Sequence, residues 1–180
     1  MANPRFELSR LARSACVLGA GVGGLFDGIV FHQILQWHHL ISGPRPPQTL
    51  RDLELNTLFD GLFHAAAWVI TLAGIWLVHR ALRGDSVHVA GRVLSGGLVA
   101  GWGAFNVVEG VVNHYVLGIH HVRPGPDEAL YDLAFQVWGA IFVAFGWLVI
   151  RRAIRAGIVP VGSASTATPE RVRKRPGRRP

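Results

Sequence analysis

The sequence is almost free of sulfur. It has one cysteine, Cys16, and one methionine, the initiator. A lone cysteine excludes an internal disulfide. The shortage of thiolate and thioether donors excludes a soft, sulfur-built metal site of the copper(I) kind within one chain. Charge is scarce as well: 16% of residues are Asp, Glu, Lys or Arg, against about 25% in an ordinary soluble domain. No cleavable leader is expected, because Glu7 interrupts the basic N-terminal segment and no small-residue cleavage site follows the first apolar run. That run therefore reads as an uncleaved span.

Apolar residues are what the chain has in quantity. Half of its 180 residues are hydrophobic, and they are bunched near 14–41, 58–79, 93–119 and 130–150. Crossing a bilayer takes roughly 20 apolar residues, so each stretch is a candidate span. The expectation is an all-α integral membrane protein, a bundle of four transmembrane helices. Its domain would cover 14–155, between an N-terminal segment 1–13 and a basic tail 156–180.

Arginine placement sets the topology, because short cytoplasmic loops collect Lys and Arg. Arg5, Arg10 and Arg13 precede the first span, Arg80, Arg83 and Arg92 lie between the second and third, and Arg151, Arg152 and Arg155 follow the fourth. The other two loops are poorer: Arg45 and Arg51 are balanced by Asp52 and Glu54, and Arg123 stands beside Asp127 and Glu128. Both termini are predicted to be cytoplasmic. The net charge of +7 sits largely in Arg171, Arg173, Lys174, Arg175, Arg178 and Arg179, among Pro169, Pro176 and Pro180. This composition predicts a disordered, solvated cytoplasmic tail rather than a specific nucleic-acid partner.

The sequence also repeats itself. Residues 27–32, DGIVFH, align without a gap to 109–114, EGVVNH, and the register carries on to His38-His39-Leu40 against His120-His121-Val122. It also pairs Gly19 and Gly21 with Gly101 and Gly103. Among the second helices, Leu58-Phe59-Asp60 matches Leu130-Tyr131-Asp132, and Phe63-His64 matches Phe135-Gln136. The spans are therefore read as two tandem hairpins, 14–83 and 93–155. Two-span units enter the membrane in the same direction, which predicts a parallel repeat with a pseudo-twofold axis along the membrane normal. The run Gly19-Ala20-Gly21-Val22-Gly23-Gly24 fits a dinucleotide pattern only superficially, since no strand precedes it and it lies inside an apolar span. Small residues at Gly19/Gly23, Gly24/Gly28 and Gly97/Gly101 instead predict close packing of the first and third helices.

Ionisable residues inside a bilayer cost at least about 2.5 kcal/mol each on insertion scales, so those present are expected to face one another. If each span is an unbroken α-helix, His32, His64 and His114 share one depth, with Gln136 at the fourth equivalent position. Asp27 and Glu109 then lie deeper. Asp27 and His32, five apart, would diverge by roughly 140°. His32, His64 and His114, with Asp60 and Glu109, are the candidate metal ligands. Asp27 and Asp132 are candidates for orienting a histidine through its other ring nitrogen. His38, His39, His120 and His121 would form an outer, ion-collecting mouth. Three readings stay open. Imidazoles and carboxylates suit zinc, iron or copper(II); His32 and His114 could be axial ligands of a haem b; or the polar residues form a structural or proton-carrying network, since buried polar groups in lipid must be paired whatever their role.

The stretch 24–39, GLFDGIVFHQILQWHH, closely resembles the signature of a bacterial membrane family known as domain of unknown function 2243. Residues 106–114, NVVEGVVNH, and 56–64, NTLFDGLFH, resemble its other motifs. The resemblance covers roughly 14–155. It implies a multi-pass protein of a bacterial inner membrane, with a respiratory oxidase or its assembly factors as the expected setting. It fixes no activity and leaves self-association open.

Overall fold

The computed structural model describes residues 4–82 and 87–156. The basic tail from 157 onward, Arg83, Asp85 and the side chain of His88 lie outside the described residues. Four long helices make up the fold, with no strand among the described residues: α1 (Pro4–Asp27), α2 (Leu50–Ala81), α3 (Val87–Glu109) and α4 (Glu128–Ala156). α1 and α3 each run on into a seven-residue π-helical segment, Gly28–Ile34 and Gly110–Val116.

Three stretches are long and apolar enough to cross a bilayer: Arg5–Ile34, Leu50–Ala81 and Glu128–Ala156. α3 is diluted by Gly91, Gly96, Gly97, Gly101 and Gly103 and by the polar Asn106 and Glu109. The outward faces of α2 and α4 are greasy, with Trp68, Trp76, Ile75, Trp138, Phe145 and Trp147 all exposed. A helix apolar on its solvent-side face is what a lipid surround requires. α2 begins at an N-cap, Thr49, whose hydroxyl accepts the Asp52 N–H at 3.1 Å. The cap closes one of the open donors of the first turn.

The helices pack in the order α2–α1–α3–α4: α1 and α3 form the centre, α2 lies on α1, and α4 lies on α3. Glycine makes these approaches possible. A Cβ at Gly19 would strike the Leu98 backbone, and one at Gly101 the Cys16 backbone. Farther out, a Cβ at Gly74 would meet Leu18, and one at Gly146 would lie 2.5 Å from the Ala100 nitrogen. Near the N-termini of α1 and α3 the core is apolar, built by Leu8, Leu11, Ala15, Val78, Val93 and Ala153. The other end is filled by histidines and carboxylates.

The spans near 14–41 and 93–119 are corrected at their outer ends. The helices stop at Ile34 and Val116, so His38, His39, His120 and His121 are not on helix faces. The chain reverses at residues in the left-handed region, Gln36 with φ 48° and Gly118 with φ 57°. Trp37 N–H then closes onto the Phe31 carbonyl at 3.0 Å, and Ile119 N–H onto the Asn113 carbonyl at 2.9 Å.

Candidate metal centre

The π segments place the first two groups of the site. An i→i+5 turn is wider than an α-turn and brings residues five apart onto one side. Asp27 Oδ2 consequently lies 3.4 Å from His32 Nε2, and Glu109 Oε1 lies 3.4 Å from His114 Nε2. The divergence expected of Asp27 and His32 on an α-helix does not occur. Glycine opens each π segment because of what lies against it. A Cβ at Gly28 would sit 2.6 Å from His64 Nε2, and one at Gly110 would collide with the Gln136 amide nitrogen. His64 is thus wedged behind Gly28, with Nδ1–H donating to the Asp60 carbonyl at 2.6 Å. It stands beside the cluster, its ring centroid 6.5 Å from that of His32.

The reversing loops bring the next two. His38 and His120 fold back into the protein and stack on each other, with ring centroids 4.5 Å apart and planes 6° apart. Each is held by the opposite loop: His38 Nδ1–H donates to the Val122 carbonyl at 2.8 Å, and His120 Nδ1–H to the Leu40 carbonyl at 3.0 Å. Both are almost fully buried, at 4% and 1% exposure, so the outer-mouth position expected for this pair does not hold. His39 and His121 turn outward and are less covered.

Asp60 and Asp132 stand behind the histidines. Asp60 accepts from His32 Nδ1 at 2.8 Å, His39 Nδ1 at 2.7 Å and the Leu40 N–H at 2.8 Å. Asp132 accepts from His121 Nδ1 at 2.6 Å and the Val122 N–H at 2.9 Å; it lies 3.2 Å from His114 Nδ1, which has no hydrogen-bond partner. A carboxylate on Nδ1 fixes the tautomer that leaves Nε2 bare, the arrangement typical of ligating histidines. The geometry exchanges the expected places of two acids: Asp27 faces an Nε2 atom and Asp60 an Nδ1, while Glu109 faces Nε2 and Asp132 faces Nδ1 as expected.

The result is a row of four imidazoles, His32, His38, His120 and His114, with successive centroids 4.5, 4.5 and 5.0 Å apart. One ligand atom from each of His32, His38 and His120 falls within 4.8 Å of the others, and the same holds for Glu109, His114 and His120. Asp27 Oδ2, His32 Nε2, His38 Nε2 and Glu109 Oε2 are buried without a hydrogen-bond partner. His120 Nε2 lies 2.9 Å from Glu109 Oε1. In the reversing loop, burial and the neighbouring His120 and His32 rings push the His38 imidazole down to about 3, so it stays neutral and can offer its lone pair. With two imidazoles standing between His32 and His114, no gap for a porphyrin separates that pair.

Sequence reasoning placed His38 and His120 too far out. The available signal was the repeated His-His doublet, but a helix continued through it hid the fold-back.

Comparison with known families settles the broad identity. The family described as "Predicted membrane protein (DUF2243)" matches residues 14–153. The chain belongs to this family. The matched stretch of this DUF2243 protein contains every histidine and carboxylate of the cluster. No curated protein and no solved structure matches it.

Proposed function

We propose that this DUF2243 protein binds a transition-metal ion at the outer end of a four-span bundle. One observation carries the reading: Asp27 Oδ2, His32 Nε2 and His38 Nε2 are buried together without a hydrogen bond, the first two facing each other at 3.4 Å. Each such atom costs about 1–3 kcal/mol when left unsatisfied. A network whose only task is to hold helices together would be expected to pair its members. The donors are nitrogen and oxygen, suited to zinc, iron or copper(II). Haem b is the weaker alternative because His38 and His120 stand between its would-be axial ligands.

The bundle in this reading is two tandem hairpins about a pseudo-twofold axis along the membrane normal, α3 included as a span. Reciprocal contacts support it: Gly19 on Leu98 with Gly101 on Cys16, and His38 on Val122 with His120 on Leu40. His64, named as a ligand from sequence, becomes a packing group against Gly28, Asp60 becomes the group that aims His32, and Asp132 stands beside His114 while holding His121. We place the protein in a bacterial inner membrane with both termini cytoplasmic, the cluster facing outward. A respiratory oxidase or its assembly factors is the partner that the family resemblance implies.

Purification in detergent followed by elemental analysis tests the ion. The expected result is near-stoichiometric zinc, iron or copper, no Soret band, and loss of the metal in His38→Ala. A folded, colourless, metal-free protein would assign the cluster to a structural network instead.

A further inference from the structure

The cluster divides into two sets related by the sequence repeat. Asp27, His32 and His38 come from the first helix and its reversing loop, and Glu109, His114 and His120 from the third. In each set a carboxylate and a histidine face each other across a π turn at the same 3.4 Å. The second histidine of each set is anchored through Nδ1 on the other loop. His120 belongs to both close-ligand groups, together with His32 and His38 on one side and with Glu109 and His114 on the other.

Charge points the same way. Asp27, Asp60, Glu109 and Asp132 are all buried, between 1% and 7% exposed. Their ion-pair partners among the described residues are histidines, with no arginine or lysine. His32, His38 and His120 each have Nδ1 occupied by an oxygen acceptor, which leaves Nε2 as the ligand atom. A ligating acid must be deprotonated to take a metal, and in the ionised form the four buried acids bring four negative charges. One divalent cation offsets half of them, and burying unpaired charge is strongly unfavourable.

We propose that the centre takes two divalent transition ions side by side, one on Asp27, His32 and His38 and the other on Glu109, His114 and His120. This rests on the metal-binding reading above and adds the second ion to it. The first set fills first, because Asp27 Oδ2, His32 Nε2 and His38 Nε2 have no hydrogen bond for an ion to displace. The second fills at higher metal concentration, because an ion there must displace the 2.9 Å contact between His120 Nε2 and Glu109 Oε1.

The test is a titration of the metal-stripped, full-length protein in detergent with cobalt(II), read by visible absorption, and with copper(II), read by electron paramagnetic resonance. Wild type is expected to saturate at two equivalents in two steps, with the copper signal broadened by coupling between neighbouring spins. His114→Gln should saturate at one equivalent with the tight step kept and an isolated copper signal. His32→Gln should lose the tight step. His32→Ala and His114→Ala, checked for a monodisperse elution profile, repeat the comparison without any replacement donor. Wild type saturating at a single equivalent would overturn the two-ion centre and leave the metal-binding reading standing. No binding by folded wild type would overturn both.

Discussion

Replacing Asp60 by Asn is the most informative single change, because the side chain keeps its shape and loses its second acceptor. Asp60 receives His32 Nδ1–H and the Leu40 N–H on Oδ1 and His39 Nδ1–H on Oδ2. An asparagine can offer its oxygen to one side only, and its NH2 then faces an imidazole N–H on the other. With the NH2 toward His32, that ring must lose the bond that aims it or switch tautomer, putting a proton on the Nε2 that the ion needs; with the NH2 toward His39, His32 keeps only a neutral acceptor in place of the carboxylate that strengthens it as a ligand. Removing such a supporting carboxylate costs about 10–100-fold in metal affinity. At about 1.4 kcal/mol per tenfold, that is about 1.4–2.8 kcal/mol. Competition with a chelator of known affinity measures it in detergent, with the thermal transition confirming that the protein is folded. Asp52→Asn is the control, since Asp52 caps α2 through Thr49, far along the helix from the cluster. A folded Asp60→Asn protein that binds within about twofold of wild type would refute the claim that Nδ1 support organises this site.

Other consequences follow from the packing. Gly101→Ala drives a Cβ into the Cys16 backbone and should cost about 1–3 kcal/mol as overpacking. Gly61→Ala, with nothing within 4 Å of the new atom, should be neutral or gain about 0.5–1 kcal/mol in helix preference; parallel thermal melts in detergent compare the two. Gln36 and Gly118 share a left-handed conformation that costs a non-glycine residue roughly 1–2 kcal/mol. Gln36→Gly should therefore raise the melting temperature and Gly118→Gln lower it, and equal shifts of one sign would exclude backbone strain as the cause. Reporter fusions after Pro47 and Pro126 should read as extracytoplasmic and one after Asp85 as cytoplasmic. A cytoplasmic reading from either outer loop would invert the proposed orientation.

The helical class and the membrane setting were legible because apolar runs of bilayer length tolerate few other structures. The glycine seam was legible for a similar reason: small residues at fixed spacing have few uses inside a span. What the sequence hid was local geometry at the outer end. A π turn has no residue signature of its own; here it is accompanied by the local side-chain pairs Asp27 with His32 and Glu109 with His114. Read on an α-helix, those same pairs point apart. The helix ends were hidden too, because Pro44 and Pro124 offered later and more obvious stops. Only Gly118 hinted at the earlier reversal, and its counterpart Gln36 gave no sign of adopting a positive φ. Once the helix ended early, His38 and His120 moved from the rim to the middle of the cluster, and the roles suggested for Asp27 and Asp60 changed places.

X-ray absorption at the metal edge of the protein purified without added metal tests the central claim most directly. The account predicts a first shell of nitrogen and oxygen only, at about 2.0–2.2 Å for zinc, with the outer-shell scattering of imidazole and no sulfur at about 2.3 Å. That imidazole signature should weaken in His38→Ala. A folded protein without metal, or one whose ion shows only water-like oxygens and no imidazole scattering, would contradict the account.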